Sequence, residues 1–197
     1  MKKLLLNAFV VASLGLGFTA CKNNNNEAET ADAKDAATAE AEAMEYKVDT
    51  TASTIEWQGS KPTGNHTGTI AVKEGTFMAT DSTIQSGTFV IDMQSIEVTD
   101  LEGEEKSNLE AHLMGTVEGK EGDFFNVQEY PEATFEVTGI TEEEGTTMLQ
   151  GNLTMKEVTK NISFPVTISK NDDTYTISSE DFSIDRTKWN VNYGSKS

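Results

Sequence analysis

The sequence predicts an all-β domain, built as a long antiparallel barrel with a short helical and loop lid. Over most of residues 46–184, Thr, Val, Ile and Phe recur at every second position, the side-chain period of a half-buried strand. Turn signals of hairpin length separate these runs, as in an antiparallel meander. Strands of about ten residues are long for a small sandwich and favour a closed, tilted barrel.

The first 21 residues have the parts of a secretory signal. A positive start and an apolar run over Leu4–Phe18 are followed by two small residues before Cys21. The apolar run is short for a bilayer and contains Asn7, which argues against a retained membrane-spanning helix. We therefore predict a signal peptide over residues 1–21 and export of the chain.

Cys21 is the only cysteine, so no disulfide can form within the chain. Its position after the apolar run resembles the lipobox of bacterial lipoproteins, in which this cysteine is acylated, although Phe18 stands where that pattern usually has Leu. We predict lipidation at Cys21 and a membrane-anchored protein of the bacterial envelope, in the periplasm or at the outer membrane. The alternative is an incidental cysteine beside an ordinary cleavage site.

The segment after Cys21 has the composition of a linker. Residues 22–44 contain no aromatic and no branched aliphatic side chain, so they cannot bury enough surface to offset the entropy of ordering. We predict a disordered acidic tether over 22–44 and a folded domain over 45–197. The net charge of −18 argues against nucleic acid as a partner, because phosphate binding needs a basic face.

The strands of the domain can be placed from their alternation. Thr83–Gln94 is the clearest, with Phe89, Ile91 and Met93 on one face. Pro165 indicates an edge or a bulge, because it cannot donate to a ladder. In chain order we predict strands at 46–49, 54–59, 66–80, 83–94, 133–140, 146–156, 162–168 and 174–184.

The alternation stops between Leu109 and Val137. A charged, weakly amphipathic helix over 102–114 leads into a Gly-rich bend, then Phe124 and Phe125, then a Tyr-Pro turn. An interruption this apolar must cover something, so we predict that it is a lid over the barrel.

The apolar strand faces allow two interpretations. A small barrel is either filled by its own side chains or holds one ligand, and pattern alone favours the filled core. His66 and His112, the only histidines, lack the converging partners of a metal site, and no nucleophile motif is present. We therefore predict no metal, no cofactor and no catalysis. Either histidine could serve a structural role or bind a polar head at the cavity mouth. Arg186 allows a surface ion pair with Asp185 or a head-group role.

At this level of detail the chain resembles the YceI-like family of polyisoprenoid-binding proteins. The motifs that carry the resemblance, from Tyr46 to the C-terminus, are Asp49, 55–57, 64–68, 92–96 with Asp100, 112–113, 123–125, 130–135, 151–155, 158–160 and 182–189. The resemblance implies a lipocalin-like barrel with an elongated apolar pocket, a long-chain isoprenoid or similar lipid as ligand, an extracytoplasmic location and no established catalytic activity. It favours the cavity over the filled core.

Two departures from the family pattern lead to further expectations. The family has Gly where this chain has Glu157, so we expect a different turn there. Family members usually continue into a final strand after the Tyr193 region, so we expect a barrel that lacks its closing strand and exposes an edge. The predicted ligand-binding residues are Trp57, His66, Phe89, Ile91, Met93, His112, Phe124, Phe125, Phe135, Phe164 and Arg186. The alternative function is an acidic envelope interaction module with a filled core.

Overall fold

The computed structural model describes residues 27–61, 64–80 and 83–193. The predicted signal peptide and Cys21 lie outside the described residues. The strands of the described part are β1 (Glu29–Asp32), β2 (Met44–Lys47), β3 (Thr54–Lys61), β4 (Gly64–Thr80), β5 (Thr83–Val98), β6 (Glu132–Glu143), β7 (Thr146–Met155), β8 (Val158–Asn171) and β9 (Thr174–Ser179). One helix, α1 (Gly103–Met114), follows β5, and a 3-10 turn (Arg186–Trp189) follows β9.

The strands form one curled antiparallel sheet. Its order is β1-β8-β7-β6-β5-β4-β2, with β3 also pairing with β4 and β9 also pairing with β8. The β2 end of this order meets β9 through side chains, since the Tyr46 ring of β2 lies 4.7 Å from the Tyr175 ring of β9. No ladder joins β2 to β9 among the described strands. The predicted all-β, barrel-like antiparallel fold is confirmed, but its hydrogen bonding does not close at this point.

The core lies on the concave face of the sheet. The clearest predicted strand behaves as expected: Met93 is buried, and Phe89 and Ile91 are half-buried against the same core. A smaller cluster of Phe77, Ala79 and Ile84 lies beside it, and Phe89 also packs against this cluster. The inward face therefore carries apolar side chains along the whole sheet.

The disordered tether predicted over 22–44 is wrong for its described part. Residues 27–43, called the strap below, begin with β1, which pairs with β8 from Glu29↔Ser163 to Asp32↔Lys160. Composition reports only the surface that side chains can bury, whereas an edge strand is also held by backbone hydrogen bonds, which Ala and Glu provide as well as Val.

Pro165 marks an interruption on β8, as its chemistry predicts. The ladder to β1 ends at Ser163, and the ladder to β9 begins at Val166. Pro165 therefore lies between two pairings, where a missing amide donor costs no ladder bond.

The turn at Glu157 shows how the chain manages without glycine. Met155 pairs directly with Val158, so Lys156 and Glu157 form a two-residue hairpin loop. Both have positive φ, 46° and 62°, the conformation that Gly or Asn usually supplies in such loops. This turn also determines the direction of the Lys156 side chain.

The single helix of the described ranges, α1, has 12 residues. It is fixed to the sheet where β5 ends, because Glu110 Oε1 accepts a hydrogen bond from the Val98 amide at 2.9 Å. No helix in these ranges combines the length and the apolar character that a bilayer crossing requires.

Candidate functional site

The predicted lid follows α1 and folds back onto its end. Gly115 ends the helix with a φ of 72°, and a Cβ there would lie 2.3 Å from the Asp123 carbonyl oxygen. Only glycine allows this approach. The amide of Phe125 then donates to the Leu113 carbonyl at 3.2 Å. The return of the chain places Phe124 and Phe125 half-buried against the main core.

Phe124 is the centre of an aromatic and cationic cluster. Its ring centroid lies 5.4 Å from that of His112 and 6.0 Å from that of Tyr193. The guanidinium carbon of Arg186, the only arginine of the sequence, lies 4.7 Å from the Phe124 ring centroid. The Phe124 backbone has a φ of 57°, and its carbonyl accepts a hydrogen bond from Lys156 Nζ at 2.9 Å. Three predicted residues, His112, Phe124 and Arg186, thus come together.

Arg186 serves the backbone rather than a free ligand site. Its guanidinium donates hydrogen bonds to the Val191 carbonyl and, at 2.7 Å, to the Tyr193 carbonyl. Asp185, in place of the expected ion pair with Arg186, caps the 3-10 turn by accepting from the Thr187 hydroxyl and amide, and these bonds hold the pKa of the Asp185 carboxyl below its usual value. The arginine therefore fastens the C-terminal segment beneath the lid.

Trp189 anchors the same segment from below. Its side chain is fully buried, and its Nε1 donates to the Leu153 carbonyl at 2.9 Å. An indole N–H needs such a partner when it is buried. The lid end is consequently held by directional bonds from the 3-10 turn to strand β7 and to the C-terminal backbone.

The inward face carries a row of rings. Phe89 lies 6.4 Å from Phe135, Phe135 lies 5.6 Å from Phe164, and Phe164 stacks on Phe182 at 4.3 Å. Gly151 makes room for this row, because a Cβ at that position would lie 2.2 Å from the Phe135 ring. The predicted residues of β5, β6 and β8 therefore share one apolar face.

This face is packed at its centre and partly open beside it. Met93, Phe135 and Phe164 are buried, whereas Phe89 and Ile91 are only half-buried. Two concavities among the described residues have volumes of about 200 and 210 Å³. None of the predicted ligand-binding residues lines either of them. The accessible apolar surface of the inner face is therefore at Phe89 and Ile91, and neither of these concavities forms the elongated pocket expected from the sequence.

Trp57 and His66 lie apart from the lid cluster. Trp57 packs against the core and donates from Nε1 to the Thr69 carbonyl at 3.3 Å. His66 Nδ1 lies 3.0 Å from Asp100 Oδ2, and the Thr67 amide donates to the other oxygen of that carboxyl. The Thr67 bond, followed by that of His66, lowers the pKa of Asp100.

The two histidines have no partner in common. His66 pairs with Asp100, whereas His112 contacts the Phe124 and Tyr193 rings. In the part of the chain that the structure describes, no group of three His, Cys, Asp or Glu side chains is placed to hold a metal ion.

Four residues of this region were not among the predicted site residues. Lys156 and Tyr193 contact the lid, Phe182 extends the row of rings, and Trp189 fastens the end. Phe182 and Trp189 stand in the last resemblance motif and could have been included on that ground. Lys156 could not, because its role depends on a left-handed turn.

The model of the YceI-like domain matches residues 46–197. Burkholderia cenocepacia BcnA, known from a crystal structure, is 22% identical with a TM-score of 0.45, over 72% of this chain and 71% of that one. A mutant CJ YCEI protein with a monobromobimane guest structure is 16% identical with a TM-score of 0.42, over 96% and 85%. No curated protein matches the sequence significantly. Because the family model covers more than half of its length, the chain belongs to the YceI-like family.

Proposed function

We propose that the protein binds a long apolar ligand, an isoprenoid chain or a similar lipid, along the inner face of its sheet. The observation that carries the proposal is the accessibility of Phe89 and Ile91, two large apolar side chains in the middle of the concave face that stay half-buried. Accessible apolar surface inside a curved sheet is where a hydrocarbon chain gains most from leaving water. Binding rather than catalysis is the activity we infer.

The strength of such binding follows from area. Each buried methylene contributes about 0.8 kcal/mol, so one isoprenoid unit contributes roughly 3 kcal/mol before ordering costs. Affinity should therefore rise with chain length. Because Phe135 and Phe164 are buried at the centre of the face, a long chain must displace rings of this row or lie beside it.

Near the lid, the cationic side chains that could bind the polar end of the ligand already donate hydrogen bonds within the protein. Arg186 and Lys156 both donate to backbone carbonyls near the lid, and the full chain carries a net charge of −18. A strongly anionic head would face this acidic protein with both of these cations already bonded to the backbone. These contacts favour a lipid whose head is uncharged or remains in water.

We propose a carrier or sequestering role at the cell envelope. The predicted signal peptide and lipidation at Cys21 support it, because acyl chains would hold the domain beside a lipid source. Metabolic labelling with a radioactive fatty acid tests the anchor. We expect label on the native chain, release from the membrane fraction in Cys21→Ser, and no label on that variant.

The binding proposal is tested by lipid extraction and thermal unfolding of the purified protein. We expect a co-purified lipophile, and a melting temperature that rises with the length of added prenols. Ile91→Trp should abolish the shift by covering the accessible apolar surface beside Phe89. Leu109→Trp adds the same bulk at a half-buried position of α1 and should preserve it. Recovery of no lipophile, together with no shift for any prenol, would refute the proposal.

A second candidate is supported by the buried rings. A sheet whose central residues Met93, Phe135 and Phe164 are already buried can also act as a filled scaffold that binds partners through its acidic surface. Recovery of no lipophile, with no thermal shift for any prenol, would favour this alternative.

A further inference from the structure

The strap crosses the outside of the sheet rather than hanging free. After pairing with β8 it passes over β7, where Lys34 meets Asn152, and then β6, where the Ala37 amide donates to the Val137 carbonyl at 2.9 Å. The Glu40 amide then donates to Gln85 Oε1 of β5 at 2.7 Å. The strap thus spans four strands before β2 pairs with β4. It precedes the segment that the family model matches.

Asn152 grips the strap by its backbone. The Lys34 amide donates to Asn152 Oδ1 at 3.0 Å, and Asn152 Nδ2 donates to the Lys34 carbonyl at 2.7 Å. A side-chain amide that pairs with both backbone groups of one residue reproduces the pairing that a neighbouring strand would offer. This contact is independent of which side chain the bound residue carries.

The Asn152 amide is oriented by a second buried asparagine. Asn152 is 6% exposed and Asn161, opposite it on β8, is 2% exposed. Asn161 Nδ2 donates to Asn152 Oδ1 at 3.2 Å and to Thr138 Oγ1 at 2.8 Å, which orients the Asn152 amide. Two buried asparagines on the outer side of a sheet are costly unless their polar groups are paired. The strap backbone satisfies what this network leaves open.

The side chains of the strap contribute little to its attachment. Ala28 is its only buried residue, and most of the others are exposed. The Asp32–Lys160 ion pair, at 2.9 Å, places a 96% exposed carboxylate in water, where such pairs are weak. Recognition therefore depends on an extended backbone with small residues and not on one particular sequence.

We propose that the edge of β8 and the Asn152 clamp form a peptide-binding site for an extended segment of small residues. The strap is the occupant in cis, and the strap of a second copy can replace it. Identical segments satisfy identical contacts, which is the condition for exchange of an element between protomers. The proposal is independent of the lipid ligand.

The first test measures hydrogen exchange of strap amides in the full chain. Asn152→Ala should speed exchange at Lys34 at least tenfold. Asn171→Ala, an exposed asparagine at the far end of β8, is the matched control and should leave it unchanged. Equal protection of the strap in all three proteins would overturn the clamp.

The second test supplies the strap in trans. Thr30→Pro with Ala31→Pro, made together in the full chain, should detach β1, because successive strand amides point to opposite sides and one of two consecutive prolines therefore removes a donor to β8. A fluorescent peptide of residues 27–38 should then bind this variant at least tenfold more tightly than the native chain. A peptide carrying the same two prolines is the control.

The outcomes distinguish a site that accepts a strap supplied in trans from a strap that only packs against its own chain. Saturable binding of the native-sequence peptide, absent for the proline peptide, supports a site open in trans. No binding to the proline variant, when its melting transition stays cooperative, refutes it. If that variant does not fold, the same peptide is added at high concentration to the native chain, and hydrogen exchange of the β8 amides is measured. Slower exchange supports the proposal, and unchanged exchange refutes it.

Discussion

The two ends of the barrel are held together by different forces. At the lid end, Trp189, Arg186 and Lys156 donate hydrogen bonds to backbone carbonyls of neighbouring segments. At the opposite end, the rings of Tyr46 and Tyr175 meet at 4.7 Å with no ladder between their strands. Directional bonds fix one arrangement, whereas ring contacts tolerate sliding and separation. We therefore expect the lid end to unfold last and the ring-closed edge to open first.

The largest expected effect comes from the buried indole at the lid end. Trp189→Ala should lower the free energy of unfolding by about 3–5 kcal/mol, because it removes a fully buried aromatic side chain and its hydrogen bond to the Leu153 carbonyl. Urea denaturation measures it. Trp189→Phe, which keeps the ring but not the donor, should cost less, and an equal cost would show that the hydrogen bond and not the packing dominates.

Substitutions of Arg186 test whether the stability of the lid end depends on the paired donors of the guanidinium or on its charge. Arg186→Gln should cost about 1.5–3 kcal/mol, the range for hydrogen bonds from a charged group. Arg186→Lys keeps the charge but loses the planar pair of donors, so we expect it to recover only part of the loss. If urea denaturation showed that Arg186→Lys recovers all of the lost stability, the paired donors would not be its source.

The ring-closed edge should respond more weakly. Tyr46→Leu and Tyr175→Leu together remove a ring pair worth about 0.5–1.5 kcal/mol beyond its buried area. A double-mutant cycle in urea measures this coupling. The same double variant should show faster hydrogen exchange in β2 and β9 than in β7. Uniform protection across these strands would mean that the edge is not the weaker end.

The smallest expected effect is a pH dependence of stability that comes from Asp100, at the mouth of the barrel. The Thr67 amide and His66 lower the pKa of Asp100 below the ordinary 3.8, so the folded state binds this proton less readily than the unfolded state. The stabilisation is therefore present above about pH 4 and is lost as pH falls through the lowered folded pKa. Asp100→Asn should flatten this acid-side loss in thermal melts between pH 2 and 5. An unchanged acid slope would exclude the contribution.

Much of the fold could be predicted because strands have a side-chain period. Phe89, Ile91 and Met93 alternate with polar residues, and they lie on one face as expected. The lid was predictable for a related reason, since Phe124 and Phe125 interrupt that period and must find apolar neighbours. Their packing against the core meets this expectation.

The strap could not be predicted in the same way. Its residues bury almost nothing, so composition indicates disorder, yet Asn152 and the β8 edge accept its backbone. Lys34 and Asn152, which are bonded to each other, are 118 residues apart in the chain. No local pattern in either segment reports the other.

The sequence by itself determined the consecutive antiparallel pairing from β3 to β9, the apolar face and the position of the lid, because these depend on local period and turn chemistry. Tertiary structure alone decided how full the interior is, what Arg186 binds and where the strap lies. Each of these depends on distances between segments remote in the chain, and on buried polar groups that must find partners wherever the fold provides them.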